Sequence, residues 1–207
     1  MIWDKAFLIN LDECTLRLKL TTAELNKWNI PFVRFPAIKH EVGKEGCRAA
    51  HIAIYKLAIA EKITPLIIED DIIIQKDFDR LHKTIAAVER HSNRNWDIIF
   101  FYRDTRHQTV IENEDLILWG PTVSTHFYMV NNKSLPKVMQ AVGNQKHPMD
   151  WNIVYSARAC QLKCYCAATN LVCQDSMLHS TIAVTGHRSA GPGLGGLFQR
   201  GYRKYAN

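Results

Sequence analysis

The chain predicts an α/β protein with a mostly parallel, Rossmann-like sheet flanked by helices and a mixed part toward its C-terminus. Three observations carry this. Short apolar runs of strand length alternate with segments of helical periodicity as far as Tyr102, the rhythm of strand-helix-strand units. The most apolar of these runs, Thr64 to Gln75, is interrupted by three consecutive carboxylates, Glu69, Asp70 and Asp71. Ligands of such sheets bind in the crevice at the carboxyl ends of the strands, which is where a buried strand ending in acids places them.

Taken in order, Ala6 to Leu11 reads as the first strand, and Leu16, Leu20 and Ala23 give Thr15 to Trp28 a helical spacing. Phe32 to Phe35 is a second strand after Pro31. Gly43 and Gly46 precede a helix whose stripe is Cys47, Ala50, Ile54, Leu57 and Ala58, ending at Lys62. The carboxylate-bearing strand follows, and Asp77 caps a helix that turns Phe78, Leu81, Ile85 and Val88 inward. Trp96 to Tyr102 is the next strand. Beyond a polar loop, Val110 to Ile111 and Leu116 to Trp119 read as a hairpin, and Phe127 to Val130 as a further strand. Ser134 is expected to cap a helix that stops at Gly143, and His147-Pro148-Met149-Asp150 opens one more, to about Cys160. A single domain over 1–207 is expected, closing in a glycine-rich basic tail over 186–207 that has flexible or anion-binding composition.

The 26 basic and 20 acidic residues give a formal charge of +6, which favours anionic partners without naming one. No stretch reaches the roughly 18 apolar residues that a spanning helix needs, and the N-terminus lacks a basic region followed by an apolar run. A cytoplasmic chain is expected, with peripheral contact to an anionic membrane open to it. The six cysteines have no paired zinc-site spacing and are expected to be reduced and mostly buried.

An ionised carboxylate in a low-dielectric interior is costly unless it is paired or binds metal. Alternation along a strand turns Glu69 and Asp71 to one side and Asp70 to the other. Two oxygen ligands facing one point suit Mg2+ or Mn2+. The competing reading is an element terminus with solvated charges, against which the dense Ile and Leu on both sides speak.

Several pieces together resemble the family 25 glycosyltransferases, which include bacterial lipooligosaccharide galactosyltransferases and the collagen galactosyltransferase group. Ile9-Asn10-Leu11 precedes Arg17 at the family's interval, and Gly46-Cys47-Arg48-Ala49-Ala50-His51 matches its Gly-Cys-x-x-Ser-His helix start with Ala50 in place of Ser. Leu66 to Asp71 matches the Glu-Asp-Asp strand, Pro148-Met149-Asp150 the Pro-x-Asp element, and Gln174 with Ser180-Thr181-Ile182 the C-terminal one. The resemblance implies a GT-A type fold. It implies a UDP-sugar donor and inversion at the anomeric carbon, residues 1–102 forming the nucleotide-binding half and 103–185 the acceptor side. Galactose or glucose is the expected sugar, and a glycan, lipooligosaccharide or protein hydroxyl the acceptor.

Under that resemblance Glu69 and Asp71 hold the metal, with Asp71 in direct contact and Asp70 or Glu69 reaching the ribose, or the metal through water. Asn10 bonds a base edge, Arg17 pairs with a phosphate, and His51 and Gln174 belong to the nucleotide side. His179 completes the metal set, with His187 as its rival. Asp150 is the general base that an inverting displacement requires, with Asp104 and Asp175 as rivals. Trp119, Phe127, Tyr128 and Trp151 offer a stacking face or simply pack. Two other functions stay open: a nucleotidyl- or phosphotransferase using the same carboxylates, although the phosphate-cradling Gly-x-x-x-x-Gly-Lys-Ser/Thr loop is absent, and a basic nucleotide- or polyanion-binding module without catalysis. The Glu69 to Asp71 triplet argues against the latter, and nucleic acid is an unlikely partner.

Overall fold

The structure, a computed structural model, describes residues 3–103, 117–143, 146–175 and 178, with 117–119 as backbone only. Its elements are β1 (Lys5–Asn10), α1 (Thr15–Lys27), β2 (Phe32–Pro36), α2 (Gly43–Glu61), β3 (Pro65–Glu69), β4 (Ile72–Ile74), α3 (Phe78–His91), β5 (Ile98–Phe100), β6 (Ile117–Trp119), β7 (Phe127–Val130), α4 (Leu135–Val142), α5 (Met149–Arg158), β8 (Cys164–Ala167) and β9 (Val172–Gln174). Seven strands form one sheet in the order β2-β1-β3-β7-β5-β8-β6, and β4 pairs with β9 in a second, two-stranded one. In the large sheet β1, β2, β3, β5 and β8 run one way, and β7 and β6 run against them. The sheet is mostly parallel in strand direction, with β7 inserted antiparallel between β3 and β5.

Period-two alternation sorts the strand residues between two cores. Leu8, Ile68 and Met129 pack with Leu25 of α1 and Leu81, Ile85 and Val88 of α3. Their chain neighbours Phe7, Ile67, Tyr128 and Val130 pack with Ile54 of α2, Val138 of α4 and Ile153 of α5. Helices therefore cover both faces, which is why the central strands are apolar at successive positions instead of alternating with polar ones. Each such aliphatic side chain contributes about 1.5–3 kcal/mol by leaving water.

Several expectations need correction. In α1 the spacing of Leu16, Leu20 and Ala23 marks the helix but not its inner face. Leu16 is 61% exposed and Leu20 41%, whereas Leu25 and Thr21 are buried and Leu18 packs partly against the core. The second stripe, Leu18-Thr21-Leu25, is also helical, stepping by three and four with a Thr in its middle, and tertiary packing chose it. Ser134 stands at the N-cap of α4 as expected, but its side chain makes no capping hydrogen bond. Its Oγ donates to Asp97 Oδ1 at 2.5 Å, and a 3-10 turn over Asn132–Ser134 leads into the helix. The stretch Thr64 to Gln75 is not one strand but two, β3 and β4, broken at Asp70 and Asp71. Strands β8 and β9 had no counterpart in the sequence reading. Of the expected hairpin, the second arm contributes β6, which pairs with β8, and the first lies outside the described residues. Asp77 caps α3 as expected, accepting from the Arg80 N–H at 2.7 Å. All six cysteines are free thiols. No helix among the described residues is long and apolar enough to cross a membrane.

Candidate active site

The chain places β1 in the middle of one half of the sheet, β2 on one side and β3 on the other. The carboxyl ends of β1 and β3 thus lie side by side where the strand order reverses, the point at which open α/β sheets leave a crevice. Asn10 ends β1 and Glu69 ends β3. Asp70 and Asp71 make the turn into β4, whose pairing with β9 brings in Gln174 and Asp175. The Asp175 N–H donates to the Asp71 carbonyl at 2.6 Å.

Asp70 is buried and saturated. It accepts from Asn10 Nδ2 at 2.6 Å and Arg17 Nε at 2.8 Å, and Arg17 Nη2 lies 2.5 Å from its Oδ1. Asn10 Oδ1 in turn accepts from Arg34 Nε at 3.0 Å. Asn10 and Arg17, expected on the base and a phosphate, are in this structure both turned onto Asp70. Strict alternation also ends at Glu69, because the turn lets Arg17 Nη2 span Asp70 and Asp71, 3.1 Å from Asp71 Oδ2.

Asp71 is buried but not saturated. Gln174 Nε2 donates to its Oδ2 at 3.1 Å, while its Oδ1 is buried with no hydrogen-bond partner among the described residues. Burial, and then the neighbouring charge of Glu69, push its carboxyl up to about 7 against the pull of Arg17. A buried carboxylate oxygen without a donor, beside two more carboxylates, is what a divalent cation relieves. By that observation the residues fit such an ion.

Glu69 faces the α2 side. Burial opposes its ionisation, but His51, His126 and Thr125 outweigh it and hold the carboxyl below its usual range. Thr125 Oγ1 donates to Glu69 Oε1 at 3.1 Å, and His51 Nε2 lies 3.4 Å from that oxygen, at ion-pair range but without hydrogen-bond geometry. His51 is fully buried on α2, its Nδ1 2.8 Å from Tyr128 Oη, and Tyr128 is hydrogen-bonded to Tyr55. Cys47 stands one turn before His51. A ligand atom from each of Cys47, His51 and Glu69 lies within 4.8 Å of the others, a grouping the sequence reading did not foresee although the four-residue spacing on one helix was there to be read. His126 is buried and pushed down to about 4 by that burial, against the opposing pull of Glu69, so its ring is neutral at physiological pH.

Asp150 comes to the same place from α5. Arg48, buried on α2, is hydrogen-bonded to the His147 carbonyl and paired with Glu45, which ties the start of α5 to the start of α2. Gly46 lets the segment before α2 lie against the helix, because a Cβ there would run into the Ile38 carbonyl oxygen. Burial raises the Asp150 carboxyl, the Trp151 N–H lowers it at 2.9 Å, and the charge of Glu69 raises it further. The thiol of Cys47 is likewise raised by burial and then by Glu69, Asp150 and Asp71, so these four residues share one field.

Phe127 and Tyr128 are core residues, and Trp151 is half-buried with its ring 5.8 Å from Tyr155. The side chain of Trp119, and Asp104, His179, His187, the Ser180 element and the tail, lie outside the described residues. Arg48, Thr125, His126, Tyr55 and Cys47 are site residues that sequence reasoning missed. Their signals were weak: His51 to Tyr55 repeats the four-residue step of Cys47 to His51, whereas nothing local marks Thr125.

The switch-point crevice of the α/β sheet thus gathers three consecutive carboxylates with a fourth from a neighbouring helix. The model of glycosyltransferase family 25 (LPS biosynthesis protein) matches residues 41–153, more than half of the chain, and the protein belongs to that family. It is a glycosyltransferase. No curated protein matches the chain. Among solved structures it is similar to the crystal structure of A197 from STIV, at 13% identity with a TM-score of 0.47, over 82% of this chain and 92% of that one.

Proposed function

We propose that the crevice between β1 and β3 binds a UDP-sugar with Mn2+ or Mg2+ and transfers galactose or glucose, with inversion, to a hydroxyl of a glycan, lipooligosaccharide or protein acceptor, on a GT-A type fold. The observation that carries this reading is the unpartnered, buried Oδ1 of Asp71 beside Glu69 at a strand's carboxyl end, in a chain of this family. Asp71 and Glu69 would hold the ion, with His179 as a further ligand. The chemistry a divalent ion supplies is neutralisation of the charge that develops on a departing nucleoside diphosphate.

The chain's own residues do the rest. Asp70, fixed by Asn10 and Arg17, orients the turn that presents Asp71. Arg17, which bridges Asp70 and Asp71, would pair with a phosphate of the donor. Gln174 holds Asp71 from the β9 side. Asp150 takes the proton of the acceptor hydroxyl as that oxygen forms its bond to the anomeric carbon. The bond from that carbon to the diphosphate breaks, and UDP leaves with the electron pair. A carboxyl raised by burial and by Glu69 is a stronger base than a solvated one, which suits it to this step.

The test is calorimetric titration of UDP, UDP-galactose and UDP-glucose into the protein with Mn2+ and with excess chelator. Binding should be far tighter with the metal, and a donor-hydrolysis screen over the same panel should identify the sugar. Equal affinity in both conditions overturns the metal-bridged reading.

A further inference from the structure

The cluster on the α2 side of Glu69 has a chemistry that hard-ion binding does not use. Cys47 and His51 lie one turn apart on α2, on one face, and the last residue of β3 meets them there. Sγ, an imidazole nitrogen and a carboxylate oxygen fall within 4.8 Å of one another. His51 is fully buried and its Nε2 has no hydrogen-bond partner among the described residues. Tyr128 sets the ring's orientation, stacked against it with ring centroids 5.8 Å apart and hydrogen-bonded to Nδ1 at 2.8 Å. Tyr55 fixes the Tyr128 hydroxyl, and Thr125 fixes Glu69 Oε1. An imidazole oriented through one nitrogen so that the other faces a thiol and a carboxylate is how proteins hold a metal-binding histidine.

We propose that Cys47, His51 and Glu69 form a site for a borderline-soft divalent ion, with Zn2+ as the natural occupant. Thiolate with imidazole selects zinc-like ions, while Mg2+ and Mn2+ prefer oxygen alone. Three protein ligands leave a fourth position open. As the ion enters, the Cys47 thiol gives its proton to solvent, one per ion bound, and the Nδ1–H of His51 donates to Tyr128 Oη. The site shares Glu69 with the proposed hard-ion site but takes its other two ligands, Cys47 and His51, from α2, so it stands whether or not Asp71 serves a nucleotide.

The test is a titration of Co2+ into the reduced full chain, carried in a Cys160→Ser background to remove the exposed thiol. A thiolate-to-cobalt charge-transfer band should appear at one equivalent and be displaced by one equivalent of Zn2+. Cys47→Ser should abolish the band, His51→Gln should weaken cobalt binding by about 10-fold or more, and Asp71→Asn should leave the band in place while removing Mn2+-dependent donor binding. Absence of the band, or a band undiminished in Cys47→Ser, overturns the site. A second measurement needs no ligand variant: Zn2+ should protect Cys47 from alkylation, mapped by mass spectrometry, and labelling unchanged by zinc overturns the proposal equally.

Discussion

Asp71 and Asp97 are carboxylates of nearly equal burial, 6% and 5% exposed, near opposite ends of the sheet, and they behave in opposite ways. Asp97, just before β5, accepts from Ser134 Oγ at 2.5 Å, from Lys137 Nζ at 2.6 Å and from the Lys163 N–H at 2.6 Å. Burial raises its carboxyl, but Lys137, Ser134 and Lys163 together bring it below its usual range. Asp71, just after β3, has Gln174 and a share of Arg17, and its second oxygen has no partner among the described residues. Its carboxyl rises to about 7. Burial is common to both, so burial does not mark a site. The difference is satisfaction: Asp97 staples β5, β8 and α4 together, whereas Asp71 keeps one buried oxygen that no described group satisfies.

The largest test of this contrast is Asp71→Asn. It preserves size and the Gln174 side of the turn while removing the charge, so metal-dependent donor binding and turnover should fall to background. The thermal midpoint of the metal-free protein should hold or rise. Normal turnover in this variant ends the reading of the Glu69 to Asp71 turn as the donor site.

Next in size is the pH dependence of stability. The folded Asp71 carboxyl lies near 7 against about 3.9 unfolded, so its contribution is fully present below about pH 4 and is lost as pH rises through 7. His126 acts in the opposite direction. Pushed down to about 4 from an unfolded value near 6.5, its contribution is present above that value and is lost as pH falls through 4. The two offset each other in the wild type, and comparison with Asp71→Asn separates them. The stability advantage of Asp71→Asn should grow between pH 4 and 7 by at most about 4 kcal/mol, at 1.36 kcal/mol per unit. Denaturant melts across that range check it, and a difference that does not change with pH would mean that Asp71 is compensated as fully as Asp97.

Asp97→Ala should cost about 3 kcal/mol of stability, because it strands the Ser134 hydroxyl and the Lys163 N–H in the interior. Lys137, half exposed, adds little. Donor affinity per folded molecule should stay unchanged. Smallest in free energy is Asp150→Asn, expected to keep donor and metal binding while transfer falls by about 100-fold, the scale of losing a positioned general base. Asn substitutions at Asp104 and Asp175, assayed beside it, show whether the proton goes elsewhere.

Much of the fold was legible because its signals are local. Apolar runs of strand length and the stripes of α2 and α3 each follow from a handful of neighbouring residues, and the inward face of α3 came out as read. In α1 the same logic marked the helix but not its inner face, since two apolar spacings competed and only the sheet beneath decided between them. Strands β8 and β9 escaped because Cys164 to Ala167 and Val172 to Gln174 are too short to show a period, and pairing with β5, β6 and β4 supplies what their sequence does not. Within the site, Glu69, Asp70 and Asp71 declared themselves as acids among aliphatics, an expensive placement that needs a reason.

By itself, then, the sequence determined the class of fold, the strand end where the acids sit, and the family, through residue types whose cost or periodicity is fixed within a few positions. Only the tertiary structure decided which acid is open. Asp70 and Asp71 are chemically identical neighbours, and what separates them is that Asn10 and Arg17, far off in the chain, converge on the first, while the second meets Gln174 from β9 and leaves one oxygen unpaired. It likewise decided that Cys47 and His51, on α2, face Glu69, because helix and strand meet only once both are packed on the sheet. Hydrogen-bond satisfaction is a property of the groups that converge on an atom, and convergence of distant segments is written in no single stretch of the chain.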